Sequence, residues 1–481
     1  MTYPVVIFWI LAAWAVMSRG PGLYYLFFGS MSFLMLSVIP SGDSGVALTA
    51  PWIVAVLLSL KILGRVGISR MVQTLLNPIC FLPLTVSTLY GVFTSILMPK
   101  LFAGKIFVFP MRITGGGYYR VALETTNANI TQSLYFIICA ATVWSCYTIC
   151  ADPRQRDHFF KAFVFGAVAA VATGIADMVT SAAHADFILA PFRTASYALM
   201  DGVEMLGVRR VIGLTPEAST YAQLLFGFLP VLALAPVPSS YFPPMGPYRI
   251  LICVLLVALC LASTSSGGMV SILGLGLLMG GWSVVGLLRG RRSAVVVLFG
   301  GVVLLTVAIG LILGAPAVSD FASRLFETLV LKKNLSDSYI ERSTWNAASM
   351  NAFWSSYGLG IGFGSSRASS YAAAVLSSLG APGALCLVVF FVQMALARPA
   401  APEDRTLAST LKLAAVAGLI IPVLSIGTPN FGLSNAVLYG ALIALLWPNL
   451  AARRTPPTRL PRRATGLRSP DSAPSTAHVQ P

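Results

Sequence analysis

Apolar residues fall into long runs along the chain, and short polar segments separate the runs. Each run holds about 20 residues, the length that a helix needs to cross a lipid bilayer. We predict membrane spans near residues 3–18, 23–39, 46–63, 79–97, 131–150, 159–181, 217–236, 249–265, 267–288, 294–313, 369–397, 406–426 and 430–450. Twelve spans fit as well as thirteen, because the first and last pairs are ambiguous. The pattern predicts an all-α polytopic membrane protein with about 12–13 transmembrane helices.

Composition supports this class and excludes two others. Hydrophobic residues make up 57% of the chain, charged residues make up 10%, and the mean hydropathy is +0.81. A soluble domain could not bury that much apolar surface, so the lipid bilayer must be a partner of the protein. The apolar runs are also too long for the strands of an outer-membrane barrel.

The net charge of +16 sets the expected orientation. Lysine and arginine gather in short loops, as the positive-inside rule requires of cytoplasmic segments, and they can face anionic lipid. We therefore expect no nucleic-acid partner. The short basic loops contain Lys61, Arg65, Arg70, Arg154, Arg156, Lys161, Arg289, Arg291, Arg292, Arg398, Arg405 and Lys412. We predict a transmembrane domain over 1–452 and a disordered, basic, cytoplasmic tail over 453–481.

Three long loops then lie on the opposite side, at about 98–130, 182–216 and 315–368. The third loop is large enough to form a lid that contains short helices. Ser338 and Glu341 fit a capping box, which predicts a helix through Trp345 to about Phe353. Glycines at every second position from 358 to 364 end that helix.

Two adjacent arginines end the second long loop. Arg209 and Arg210 suit a phosphate or pyrophosphate group, which guanidinium groups bind bidentately. Pro216 is placed as the first residue of a helix, so Glu217 falls in its first turn, where a carboxylate could accept a proton from an attacking hydroxyl. A topological interpretation is simpler on the residues alone, since interfacial arginines snorkel and a first-turn glutamate complements the helix dipole.

The lid offers a second group of candidate binding residues. Arg342 and Arg367 flank the glycine turn, and backbone amides of Gly360, Gly362 and Gly364 could form an anion nest. Trp345 could stack on a sugar or anchor the loop in the membrane interface. The glycine run is not a dinucleotide fingerprint, because no strand precedes it.

Other polar positions are less specific. The hairpin Ser263–Gly268 could contact a substrate or merely turn the chain, and Asp177 is the only carboxylate inside a predicted span. The three histidines and seven cysteines show no metal-binding spacing. We therefore expect no metal site, no cofactor and no disulfide.

In their order and spacing, these elements resemble the O-antigen polymerase and O-antigen ligase superfamily of bacterial envelope glycosyltransferases. The resemblance rests on the Arg209-Arg210 pair before Gly213 and Pro216-Glu217, on the hairpin at 263–268, and on Arg342 to Trp345 leading to the turn that ends at Gly364. It covers roughly residues 205–390. This resemblance favours the functional interpretation of the arginines.

The resemblance implies a multi-pass enzyme of the bacterial inner membrane with its active site facing the periplasm. Its substrate would be an oligosaccharide on undecaprenyl pyrophosphate, and a chain-length regulator or an export protein could be a partner. Arg209 and Arg210, with Arg342 or Arg367, would neutralise the leaving pyrophosphate, and Glu217 would be the base. The reaction would be metal-independent polymerisation of repeat units into exopolysaccharide or O-antigen.

Two departures from the family pattern shape the choice of function. Ligases of the superfamily use a histidine in the large loop, and residues 315–368 contain none, which favours a polymerase. The serine-rich hairpin lacks the arginine that usually follows it. An O-antigen ligase, a lipid-linked oligosaccharide flippase or transporter, and a structural membrane subunit remain the alternatives.

Overall fold

We analysed a computed structural model of the chain. It describes residues 2–39, 48–111, 119–195, 208–234, 246–288, 337–425 and 427–450, with isolated residues between 199 and 205 and between 290 and 327. Of the residues that it describes, 73% are helical and very few belong to a sheet. The predicted span at 294–313, most of 315–336 and the tail at 453–481 lie outside the described residues.

Fifteen α-helices occur in the described part of the chain. They are α1 Tyr3–Met17, α2 Gly22–Ser30, α3 Ala50–Val66, α4 Ile68–Leu75, α5 Phe81–Leu101, α6 Asn127–Cys150, α7 Pro153–Ala182, α8 Ala218–Leu234, α9 Gly246–Ala262, α10 Ser266–Leu288, α11 Asp337–Ser355, α12 Tyr371–Leu396, α13 Arg405–Ala417, α14 Ile420–Ser425 and α15 Gly432–Leu446. Three short antiparallel hairpins join β1 Ser37–Ile39 to β2 Leu48–Thr49, β3 Phe107–Val108 to β4 Val121–Ala122, and β5 Glu204–Met205 to β6 Val208–Arg209.

The helical membrane class is confirmed. Within the described residues, six helical segments are long and apolar enough to cross a bilayer, and a seventh results if α3 and α4, which meet at a 108° bend, count as one span. The six are Phe81–Leu101, Asn127–Cys150, Pro153–Ala182, Ser266–Leu288, Tyr371–Leu396 and Pro402–Val423. Four shorter apolar helices coincide with further predicted spans: α1, α8, the Tyr248–Ala262 part of α9, and α15.

The predicted span at 23–39 differs from the structure. Its helix ends at Ser30, and the chain continues as a loop into β1. The reason is that the backbone of Met35 bonds to another loop: its amide donates to the Leu214 carbonyl at 3.0 Å, and its carbonyl accepts from Thr194 and Ala195. These bonds replace the helical ones.

The predicted span at 406–426 is also interrupted. Gly418 separates α13 from α14, and the side-chain amide of Asn435 donates to the Gly418 carbonyl at 3.3 Å. A side chain on α15 therefore satisfies backbone that leaves the helix, which is the condition for irregular backbone inside a membrane protein.

The helices pack closely at the centre of the bundle. Gly440 of α15 lies against the backbone of α6, where an added Cβ would come within 2.5 Å of the Val143 carbonyl oxygen. Such close approach of small residues drives helix association in lipid, where the hydrophobic effect does not operate between helices.

The bundle has two distinct ends. At one end, which we call the basic end, Arg156 pairs with Asp404 at 3.2 Å, and the Lys61 ammonium donates to the carbonyls of Ala15 and Ser18. The opposite end, which we call the loop end, carries the described parts of the three long loops. All the candidate site residues belong to the loop end.

Candidate functional site

Asp177, near the loop end of α7, organises the second long loop. Its side chain is only 2% exposed. One carboxylate oxygen accepts from Arg193 Nη2 at 2.8 Å, and the other accepts from the amides of Ile212 and Gly213 at 2.9 and 3.0 Å. Gly213 has φ +57°, and an added Cβ would meet the ring of Tyr221 at 2.9 Å. Glycine is therefore needed where the loop turns against Asp177.

This loop presents the two predicted arginines. Arg209 Nη1 pairs with Asp186 at 3.0 Å, and its Nη2 lies 3.6 Å from Asp177. The Arg210 Nε donates to the carbonyl of Ser263 at 3.2 Å, which connects the loop to the hairpin between α9 and α10. Among the described carboxylates, none forms an ion pair with Arg210.

The lid helix α11 brings a third guanidinium group into the same region. Burial lowers the pKa of Arg210 below its ordinary value, the carboxylate of Glu217 opposes this shift, and the positive charge of Arg342 adds to it. The positive charge of Arg342 therefore acts on Arg210, although the two residues belong to separate parts of the chain. A cationic group that is half-buried and close to a second cation favours an anionic ligand.

A cleft of about 580 Å³ opens beside the two adjacent arginines. Its wall is mostly apolar and comes from α7, the second long loop and the α9–α10 hairpin. We call this opening the donor cleft. Thr264 of the hairpin lines it, and the buried Thr264 hydroxyl has no hydrogen-bond partner among the described residues. The lining consists of Asp177, Met178, Ser181, Ala182, Arg209, Arg210, Val211, Leu261, Ala262, Thr264 and Met269.

Glu217 lies immediately before α8. The prediction that Pro216 begins the helix is wrong by two residues, because α8 begins at Ala218 and Glu217 is its N-cap residue: the Glu217 carbonyl accepts from the Tyr221 amide at 3.1 Å. Its carboxylate accepts a short hydrogen bond from Ser219 and one of 3.4 Å from Thr220. These hydroxyls hold the carboxylate in place beside Arg210.

The remaining lid residues pack against each other. The Arg367 guanidinium lies over the ring of Trp345, 4.2 Å from its centroid, and the Arg367 amide donates to the Phe109 carbonyl at 2.8 Å. Trp345 is 8% exposed and shares a small core with Phe109 and Ala348. Because the ring is buried in this core and is also covered by Arg367, its position fits anchoring of the loop better than stacking on a sugar.

The glycine turn does not form the predicted anion nest. The Gly360 amide donates to Ser356 Oγ at 3.0 Å, and the Gly362 amide donates to the Ser378 carbonyl at 3.0 Å. Because these amides already have protein acceptors, they are not available to an anion. The turn is instead a wedge inserted between α5, α6 and α12, and an added Cβ on Gly364 would lie 2.3 Å from the Ala128 carbonyl oxygen.

Sequence reasoning missed two members of the site. Arg193 bridges Asp177 and the Gly213 carbonyl, and Asp186 holds Arg209. Both lie in the irregular part of the second long loop, where no periodicity marks a position. The one available signal was the presence of carboxylates and arginines in the same loop.

The part of the chain that the structure describes contains no group of three or more His, Cys, Asp or Glu side chains that could hold a metal ion. Comparison of the chain with protein-family models finds no match, and comparison with curated proteins finds none either. The family resemblance thus stays a prediction from the motifs.

Proposed function

We propose that the protein polymerises undecaprenyl-pyrophosphate-linked repeat units into exopolysaccharide or O-antigen, at the periplasmic face of the bacterial inner membrane. One observation carries the proposal: Arg210 forms no ion pair with a described carboxylate, and it lines a mostly apolar cleft together with Arg209. An apolar wall beside convergent guanidinium groups matches a ligand that joins an isoprenoid chain to a pyrophosphate.

The arginines would act on the leaving group. As the bond between the anomeric carbon and the pyrophosphate breaks, negative charge grows on the pyrophosphate, and Arg210 with Arg342 stabilises that charge. Removing one such donor typically lowers kcat by about 100- to 1,000-fold. Arg209 pairs with Asp186, so its charge is partly neutralised, and it serves to position the lipid rather than to supply the main electrostatic effect.

Glu217 would be the general base. Its carboxylate accepts hydrogen bonds from the hydroxyls of Ser219 and Thr220, and its negative charge favours the charged form of Arg210. A carboxylate in this position can accept the proton of an acceptor hydroxyl while the arginines bind the pyrophosphate. The reaction requires no metal ion in this scheme.

The environment of Asp177 argues against a flippase. A transporter needs polar groups near the middle of the bilayer that can change partners. Asp177 instead lies near the loop end of its helix and accepts hydrogen bonds from Arg193, Ile212 and Gly213. Its carboxylate holds the second long loop in place.

The proposal is tested by replacing Arg210 in cells that depend on this protein. In a deletion strain, Arg210→Ala should restore membrane-inserted protein but no long glycan chains on a gel, leaving single repeat units. Arg210→Lys keeps the charge and loses the bidentate geometry, so we expect a few short chains. Arg70→Ala, an exposed arginine at the basic end, is the matched control and should restore normal chains.

The same gel separates the alternatives. A ligase would leave full-length chains on their lipid carrier without attachment to lipid A–core. A flippase would leave repeat units on the cytoplasmic side. Normal chain length with Arg210→Ala would contradict the proposed role of this residue.

A further inference from the structure

A second cleft opens at the loop end, and no sequence motif pointed to it. Its volume is about 320 Å³, within the roughly 300–1,000 Å³ range of small-molecule sites. The loop after α2, the starts of α3 and α8, and the segment that leads into α15 form it. Its polar and aromatic lining residues are Trp52, Thr220, Gln223, Thr428, Asn430, Phe431 and Ser434, and aliphatic residues and two glycines complete the lining.

The second cleft and the candidate base share a residue. Thr220 lines the second cleft, and its hydroxyl donates to the Glu217 carboxylate at 3.4 Å. On the other side, the charge of Glu217 acts on Arg210, which lines the donor cleft. Glu217, just before α8, is thus linked to the second cleft by a hydrogen bond from Thr220 and to Arg210 of the donor cleft by its charge.

The lining of the second cleft fits a carbohydrate. Hydroxyl and carboxamide groups supply both donors and acceptors, which a sugar ring with several hydroxyls requires. Trp52 supplies an aromatic surface, and its ring is fixed by stacking on Tyr135, with 4.3 Å between the ring centroids. No arginine or lysine belongs to the lining, so the cleft is not built for a pyrophosphate.

We propose that the second cleft binds the terminal sugar of the acceptor glycan. This inference rests on the proposed function, and it gives a binding site to the acceptor glycan, the second substrate of that function. The acceptor hydroxyl oxygen forms a bond to the anomeric carbon of the donor sugar, and its proton passes to Glu217. The bond from that carbon to the pyrophosphate oxygen breaks, and the pyrophosphate leaves with the electron pair.

The test measures binding of two separate probes to the purified full-length protein in detergent. The first probe is undecaprenyl pyrophosphate without sugar. The second is the free repeat-unit oligosaccharide, released from the source cells' glycan and labelled at its reducing end. Equilibrium dialysis should show that Gln223→Ala and Trp52→Ala bind the oligosaccharide at least tenfold more weakly than the wild type and bind the lipid normally. Arg210→Ala should bind the lipid more weakly than the wild type and bind the oligosaccharide normally.

Matched controls use the same residue types outside both clefts. Gln73→Ala replaces an exposed glutamine of α4, and Trp354→Ala replaces a tryptophan that is 69% exposed. Both should bind each probe as the wild type does. Because lipid binding reports the fold, a Trp52 variant that loses both probes is set aside, and the Gln223 variant then decides.

The failures of the two proposals are distinguishable. If the wild type binds the lipid but not the oligosaccharide, or if Gln223→Ala binds the oligosaccharide normally, the acceptor site is wrong and the donor site stands. If the wild type does not bind undecaprenyl pyrophosphate, the proposed function fails, whatever the second cleft binds.

Discussion

Asp177 lies inside a membrane helix, yet hydrogen-bond donors surround its carboxylate. Arg193 pairs with it at 2.8 Å, with both side chains at 5% exposure or less, and two backbone amides donate to it as well. A buried ion pair of this kind is strongly coupled, because either partner alone would be an uncompensated charge. This carboxylate therefore anchors the loop that carries Arg209 and Arg210.

We expect Asp177→Asn to destabilise the protein and to lower its activity. The amide keeps the size of the side chain but removes the negative charge that pairs with the buried Arg193, and breaking a buried ion pair costs about 3–5 kcal/mol. Thermal unfolding in detergent should show a lower midpoint. Binding of undecaprenyl pyrophosphate should weaken, since the loop that holds Arg210 loses its anchor.

Asp157→Asn is the matched control, because Asp157 pairs with Lys161 on the surface of the same helix at 2.6 Å. Exposed pairs one turn apart contribute little, so this variant should unfold at the wild-type temperature. A midpoint for Asp177→Asn that equals the control would show that the carboxylate does not hold the loop.

The residue types identified the arginine pair in the sequence, but the surroundings of the pair became visible only in the folded structure. Arg209 and Arg210 were predictable because adjacent arginines before a glycine and a proline form an unusual local pattern. The role of Asp177 was not predictable, because its partners Ile212 and Gly213 lie 35 and 36 residues away along the chain. The second cleft was equally hidden, since its lining comes from four separate segments.

Among the elements, the glycine turn was recognised from its spacing, but the Gly360 and Gly362 amides bond to protein groups and not to an anion. Alternating glycines correctly predicted the end of the lid helix. Gly358, Gly360, Gly362 and Gly364 all have positive φ, between +74° and +86°. Some of the amides in the turn are taken by distant groups: the Phe363 amide, for example, donates to Ser95 Oγ at 2.7 Å, across 268 residues of sequence. Sequence alone gives no information on such acceptors.

Gly362→Ala should prevent stable insertion of the wedge. An added Cβ would lie 2.5 Å from the Ser95 Cα, and backbone at that distance cannot move aside as a flexible side chain could. Gly67→Ala is a close control, because Gly67 has φ +85°, almost equal to the +86° of Gly362, and has no atom within 4 Å of the added Cβ.

The two positions therefore have almost the same positive φ and differ in crowding. At Gly67, where ψ is 153°, a non-glycine residue costs about 1–3 kcal/mol of backbone strain. We expect Gly67→Ala to yield nearly normal amounts of monodisperse protein in detergent, and Gly362→Ala to yield far less. Equal yields of the two variants would show that α5 and α12 can move apart around an alanine at position 362 without unfolding of the protein.

At the scale of the whole molecule, the helical membrane class followed from the lengths of the apolar runs alone. Span ends were less predictable, because backbone partners decided them: loop contacts ended α2 early, and Asn435 interrupted the α13–α14 span. The asymmetry between the two ends was visible in the charge pattern. It makes one further prediction, which concerns the orientation of the site.

Single cysteines at the two ends should differ in their accessibility from outside the cell membrane. Thr125→Cys lies on the exposed surface of the loop end, and Ser69→Cys lies on that of the basic end. The positive-inside rule orients the basic end toward the cytoplasm. In spheroplasts, a membrane-impermeant maleimide should therefore label Thr125→Cys at once and Ser69→Cys only after lysis. The background should be low, because five native cysteines are buried and the other two are half-buried. The reverse pattern would turn the donor cleft toward the cytoplasm and rule out polymerisation at the periplasmic face, even if both clefts bind their ligands.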